Sequence, residues 1–179
     1  MSWMDGLGSL LQQYTSGSAT QPAADVEDHF DQVAQNAPAS EIAEGLAAAF
    51  RSGETPPFAQ MAAQIFGNSG GAQQAGVLNA LIAAAGPSML SKLTGASTGG
   101  GLGSMLGSVF GGGSSLTSAQ AAQVSPEVVQ QLAEHAEKND PSIVDRLSEI
   151  YAEHPGLIKT LGGAALTVAL AKVAQRQRG

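Results

Sequence analysis

Pro126-Glu-Val-Val-Gln-Gln-Leu132, Pro141-Ser-Ile-Val-Asp-Arg-Leu147 and Pro155-Gly-Leu-Ile-Lys-Thr-Leu161 repeat one template at offsets of 15 and 14 residues. The template is a proline, any residue, two aliphatic residues, two spacers and a leucine. Proline is tolerated in the first turn of a helix, where its missing N–H has no partner to lose. The two aliphatics and the leucine then fall on one helical stripe. The template is therefore a packing instruction and predicts three helices between Pro126 and Arg178. No period-two alternation and no β-branched run bounded by turn residues occurs in the chain, which excludes a substantial sheet. The expected fold class is all-α and multihelical.

Upstream of the repeats the same periodicity continues. Asp25 is placed to cap a helix carrying Val26, Phe30 and Val33 inward, and Ser40 to cap one running from Glu41 to Arg51 with Ile42, Leu46 and Phe50 on its face. Thr55-Pro56-Pro57 is expected to open a helix bearing Phe58, Met61, Ile65 and Phe66, with Gly67 as a left-handed exit. Ala72 to Ala85 buries Val77, Leu78, Leu81 and Ile82 before Gly86-Pro87 stops it. Trp3, Leu7, Leu10, Leu11 and Tyr14 form a weaker stripe, and Met89, Leu90 and Leu93 one further turn.

Residues 95–116 are rich in glycine and serine and divide an N-terminal helical unit, 1–94, from a C-terminal three-helix unit, 117–179. An apolar stripe of Leu102, Met105, Leu106, Val109 and Phe110 runs inside the glycines, and Gly-Leu-Gly-Ser-Met-Leu at 101–106 echoes Gly-Leu-Gly-Ser-Leu-Leu at 6–11. In the C-terminal unit Ser125 is a cap and Asn139 a left-handed helix end. Ile143, Val144, Leu147, Ile150, Tyr151 and His154 face a core, opposite Asp145, Arg146, Ser148, Glu149 and Glu153.

The last helix is apolar on two sides. Leu157, Ile158, Leu161, Ala165 and Val168 make one stripe, and Leu166, Leu170 and Val173 another, so it needs cover on more than one face. Gly162-Gly163 either admits a close partner backbone or kinks the helix.

Charge is distributed unevenly. The net charge is −7, which argues against nucleic acid, because backbone binding needs cations to displace counterions. Residues 1–60 hold eight acids and only Arg51 as a base, whereas 155–179 hold Lys159, Lys172, Arg176 and Arg178 and no acid. The tail is the cationic surface, and charge pairing with an acidic partner surface is expected of it.

Chemical constellations are absent from the pattern. With Cys 0 the chain lacks thiolate nucleophiles and Cys-based zinc sites. Gly101-x-Gly103-x-x-x-Gly107 misses the dinucleotide spacing and follows no strand, so no nucleotide is expected. His135 and His154 each lie in Ala-Glu-His. On the repeat, however, His135 aligns with the core-edge position of Ile150, and His154 sits at a helix end. His29, among Glu27, Asp28 and Asp31, reads as part of a solvated face, and those acids at a helix start read as capping. No serine has a plausible acid and base arranged around it. The expectation is no enzyme, no cofactor and no metal.

The run Gln73-Gln-Ala-Gly-Val-Leu-Asn-Ala-Leu81, the Gly-Leu-Gly-Ser-Met-Leu segment and the short Gly/Leu start resemble YidB-like bacterial proteins. His-Pro-Gly-Leu-Ile-Lys-Thr-Leu-Gly-Gly-Ala-Ala-Leu at 154–166 is similar to a stretch of related uncharacterised bacterial proteins. The resemblance implies a multihelical cytoplasmic protein and carries over no catalytic residue. The segment Thr160–Ala171 is the longest uncharged apolar stretch near the C-terminus. It gives about 18 Å of helix, too short for a hydrocarbon core of about 30 Å.

These features predict a cytoplasmic, non-enzymatic structural protein that self-associates through Leu157, Ile158, Leu161, Leu166, Leu170 and Val173. Lys159, Lys172, Arg176 and Arg178 would pair with the acidic 1–60 region of a neighbour. The alternative is a peripheral protein that lays Leu157–Arg178 on a membrane surface.

Overall fold

The computed structural model describes residues 25–86 and 115–177. The expected helix over 2–14, the Met89–Leu93 turn, the apolar stripe at 102–110 and Arg178 lie outside the described residues. The fold is all-α. Among the described residues the helices are α1 (Val26–Asn36), α2 (Ala39–Arg51), α3 (Phe58–Asn68), α4 (Gly71–Ala85), α5 (Ser118–Ala121), α6 (Pro126–Asn139), α7 (Ile143–Ala152), α8 (Pro155–Ile158) and α9 (Gly163–Gln177), with a 3₁₀ turn at Lys159–Leu161.

Every described stripe expected from periodicity upstream of residue 86 is buried: Val26, Phe30 and Val33 on α1, Ile42, Leu46 and Phe50 on α2, and the corresponding residues of α3 and α4. The boundaries shift for local reasons. α2 starts at Ala39 after Pro38, which leaves Ser40 inside the first turn, and Asp25 precedes α1 without a side-chain capping bond. Thr55 closes α2 and does not open α3: its hydroxyl donates back to the last turn, shared between the Ser52 carbonyl and that of Ala49, which also accepts from the Ser52 N–H. α3 begins only after both prolines and runs through Gly67 to Asn68. Among the described residues positive φ occurs at Gly86 (75°) and Gly162 (86°), not at Gly67.

The described chain separates into two packed units that cut across the expected 1–94/117–179 division. Residues 58–86 with 115–147 form one of them. There α3 and α4 pack on α6, and α4 also on α5. Three amide side chains join the segments by bonding backbone. Gln74 donates to the Phe66 carbonyl at 3.0 Å, Asn79 accepts from the Leu116 N–H at 2.9 Å, and Asn139 donates to the Ala84 carbonyl at 2.7 Å. Asn139 is thus the last residue of α6 and caps α4 from outside, in place of the left-handed end expected of it.

Residues 25–57 with 148–177 form the other unit, in which α9 packs on α2 and α1. The third template copy does not make one long helix. It gives α8 and the 3₁₀ turn, and Gly162 at φ 86° then breaks the chain before α9. A Cβ added at Gly162 would meet no described atom within 4 Å, so Gly162 serves as a break and not as a close approach. The close approach is at Gly45 of α2, where an added Cβ would lie 2.7 Å from the Ala169 carbonyl oxygen and 3.0 Å from Cγ2 of Val173. In α7, Ser148 is fully buried and not on the polar face, because it follows Val144 by four residues and precedes Tyr151 by three.

Two glycines in helix interiors separate propensity from packing. Gly→Ala gains about 1 kcal/mol from helix propensity, while forcing a methyl into a packed contact costs typically about 1–3 kcal/mol. Gly45→Ala is expected to lower stability by about 1–2 kcal/mol, because its clash is with backbone. Gly76→Ala on α4, where an added Cβ meets no described atom within 4 Å, is expected to raise it. Urea unfolding of both variants measures the opposite signs.

Candidate interaction surface on the C-terminal helix

α9 is built from two rows of residues four apart, which lie side by side on one helical face. Ala165, Ala169 and Val173 form one row and Leu166, Leu170 and Ala174 the other, and all six are buried. Small residues at 165 and 169 let α2 come in at Gly45, while Leu166 and Leu170 fill the space beside that crossing. Full burial of a leucine or valine side chain is worth about 1.5–3 kcal/mol, so this face dominates the docking of α9.

The side chains singled out for self-association therefore lie mostly inside the chain. Ile158, Leu161, Leu166, Leu170 and Val173 are buried, and Leu157 is half-buried. The second apolar stripe found in the sequence is covered by α1 and α2 of the same chain. Sequence periodicity shows that a stripe needs cover; which segment supplies it depends on contacts between residues more than a hundred positions apart.

The cations divide in the same way. Lys159 donates to Oδ2 of Asp31 at 2.7 Å, and Arg176 pairs with Glu44. Both acids belong to the acidic N-terminal region, so the pairing between tail and body occurs within one chain for these two residues. All four side chains keep about a third or more of their exposure, 31% and 36% in the first pair and 55% and 46% in the second. Ion pairs so well solvated contribute little energy, and their effect is to favour one register of the docked segment. Lys172 is exposed and does not pair with another described side chain.

The solvent side of α9 carries Ala164, Thr167, Val168, Ala171, Lys172 and Gln175, with Val168 and Ala171 half-exposed. Thr167, Val168, Ala171, Lys172 and Gln175 form one wall of a shallow groove of about 260 Å³; Ala48 of α2 and Glu54 of the α2–α3 turn form the other. The Glu54 carboxylate, like the Lys172 ammonium, is exposed and unpaired among the described side chains. Glu54, Ala48 and Thr167 carried no sequence signal. Val168, expected on the stripe with Leu157, Ile158, Leu161 and Ala165, lies half-exposed on this side while Ala165 is buried.

Of the histidines, His29 and His154 are half-buried, and His135 is exposed instead of lying at the edge of the core. No group of three or more His, Asp or Glu side chains among the described residues is placed to hold a metal ion. No described helix is long and apolar enough to cross a membrane. Comparison with protein-family models, curated proteins and solved structures finds no significant match.

Two titrations bear on the alkaline stability of this unit, the Tyr151 one the more because that side chain is buried. The hydrogen bond from Lys159 to Asp31 raises the lysine above its ordinary 10.5, with further help from Asp31, Glu27 and Asp28 charge and some opposition from desolvation. Burial pushes the Tyr151 phenol well above its ordinary 10.0. A lysine raised on folding contributes stability below its unfolded value and loses it as pH climbs through the folded one. A tyrosine held protonated while the unfolded chain ionises also loses stability as pH rises above 10.0. Thermal melts followed by circular dichroism should be insensitive to both groups near neutrality and fall above about pH 10. Tyr151→Phe is expected to make that fall shallower.

Proposed function

We propose that this chain is a cytoplasmic, non-enzymatic structural protein that self-associates, and that α9 is the element through which it does so. The observation that carries the proposal is the two-sided use of α9. One face closes the chain's own α1–α2 pair, and the other presents half-exposed Val168 and Ala171 over a groove with a charge of each sign that pairs with no described side chain. Self-association through the buried stripe would require α9 to leave its own chain, at the cost of exposing Leu166, Leu170 and Val173. The solvent side needs no such rearrangement. The YidB-like resemblance fits a helical, non-catalytic role but adds no site.

Light scattering of the full chain behind a sizing column tests the proposal. The expected result is a molar mass above the 18.0 kDa of one chain, rising with concentration and falling back as salt is added. A mass of 18.0 kDa at every concentration would overturn it. The membrane-surface alternative needs the same buried side chains to enter lipid, so flotation with anionic vesicles is expected to leave the protein in the soluble fraction.

A further inference from the structure

Resting on the self-association just proposed, we infer its geometry: α9 pairs antiparallel with α9 of a second copy of this chain about a two-fold axis. Lys172 of each copy then meets Glu54 of the other across the groove. Three observations converge on it.

Ala164, Val168, Ala171 and Gln175 recur at 4, 3 and 4 residues, the spacing that keeps one edge of a helix against a partner helix. Alanine at two of those positions lets the two helix axes approach closely, and Val168 and Ala171 stand half-exposed at the centre of the edge.

The groove beside that edge carries Lys172 on one wall and Glu54 on the other. Lys159 and Arg176, on the same C-terminal segment, have found acids within the chain, whereas Lys172 and Glu54 line one groove and pair with no described side chain. A two-fold rotation brings each of them its opposite charge, so the surface is complementary to itself. Two-fold contacts have this property by construction: what residue i does to residue j, j does to i.

The antiparallel sense follows from the helix dipoles, which oppose one another in that arrangement and repel when two helices run parallel. A single helix edge buries less than the roughly 1,200 Å² of a stable interface. The pairing is accordingly weak and depends on concentration, and a net charge of −7 on each copy weakens it further.

Charge reversal on the full-length chain tests the geometry without touching the core, since both side chains are exposed. Dissociation constants of wild type, Glu54→Lys, Lys172→Glu and the double variant are measured by sedimentation over a wide concentration range, with thermal melts to confirm folding. Each single reversal turns two attractive contacts per dimer into two repulsive ones and should raise the dissociation constant roughly tenfold. The double variant restores both pairs with the signs exchanged and should return to the wild-type value. If the wild type associates but the single reversals leave the constant unchanged, or the double variant fails to recover, the geometry is wrong while self-association stands. If the wild type stays monomeric throughout, both fall.

Discussion

The packing of α9 against α2 at Gly45 and Ala169 is the contact on which one half of the described chain depends. Neither α1 nor α2 can bury its apolar face alone, and the cover comes from a helix far along the sequence. The fit is steric before it is chemical. A glycine on one side faces a backbone carbonyl on the other, and leucines flank the point of approach. The ion pairs Lys159–Asp31 and Arg176–Glu44 sit at the wetter margins and hold the register of a contact whose energy comes from burial.

The unit formed by 58–86 and 115–147 solves a different problem with amides. α4 is apolar nearly all round, and it is tied to its neighbours where the helices end and where the chain returns at Leu116. Asn79 and Asn139 each bond a backbone group at the end of another segment, and Gln74 is a second donor to the Phe66 carbonyl, which also accepts from the Ser69 N–H. Such bonds add modestly to stability when made, but leaving the buried backbone group unpaired costs more. The roles of Gln74 and Asn79 are architectural.

The helical class was legible because periodicity of 3.6 is a local property, and Phe30, Leu46, Ile65 and Leu81 lie where that period puts them. Stops and caps were less legible. Thr55 was read as beginning the helix that follows it, because Thr-Pro-Pro is a common opening. In the fold its hydroxyl turns back onto α2. Gly162 and Gly45 show the limit more sharply. Both are glycines in apolar surroundings, one required by its dihedral angle and the other by a neighbour from a distant segment, and nothing in the sequence around them tells the two apart. The same holds for the second stripe of the C-terminal helix. That it must be covered can be read from Leu166, Leu170 and Val173; that the chain itself covers it is a fact of tertiary structure. The opposite charges of tail and body were read as pairing with a neighbour, and Lys159 and Arg176 find their acids inside the chain.

Lys159 and Asp31 are 128 residues apart, and that separation has a meaning in time as well as in space. A ribosome adding roughly 5–20 residues per second needs on the order of ten seconds to progress from α1 to the segment that covers it. Throughout that interval Phe30, Leu46 and Phe50 emerge into the cell without their eventual neighbours, while the residues of 58–147 are being made and can settle among themselves. The nascent protein therefore carries an exposed apolar surface for far longer than the microseconds in which a helix forms. Its window of vulnerability to aggregation, and of recognition by chaperones, is set by the order in which the chain is written.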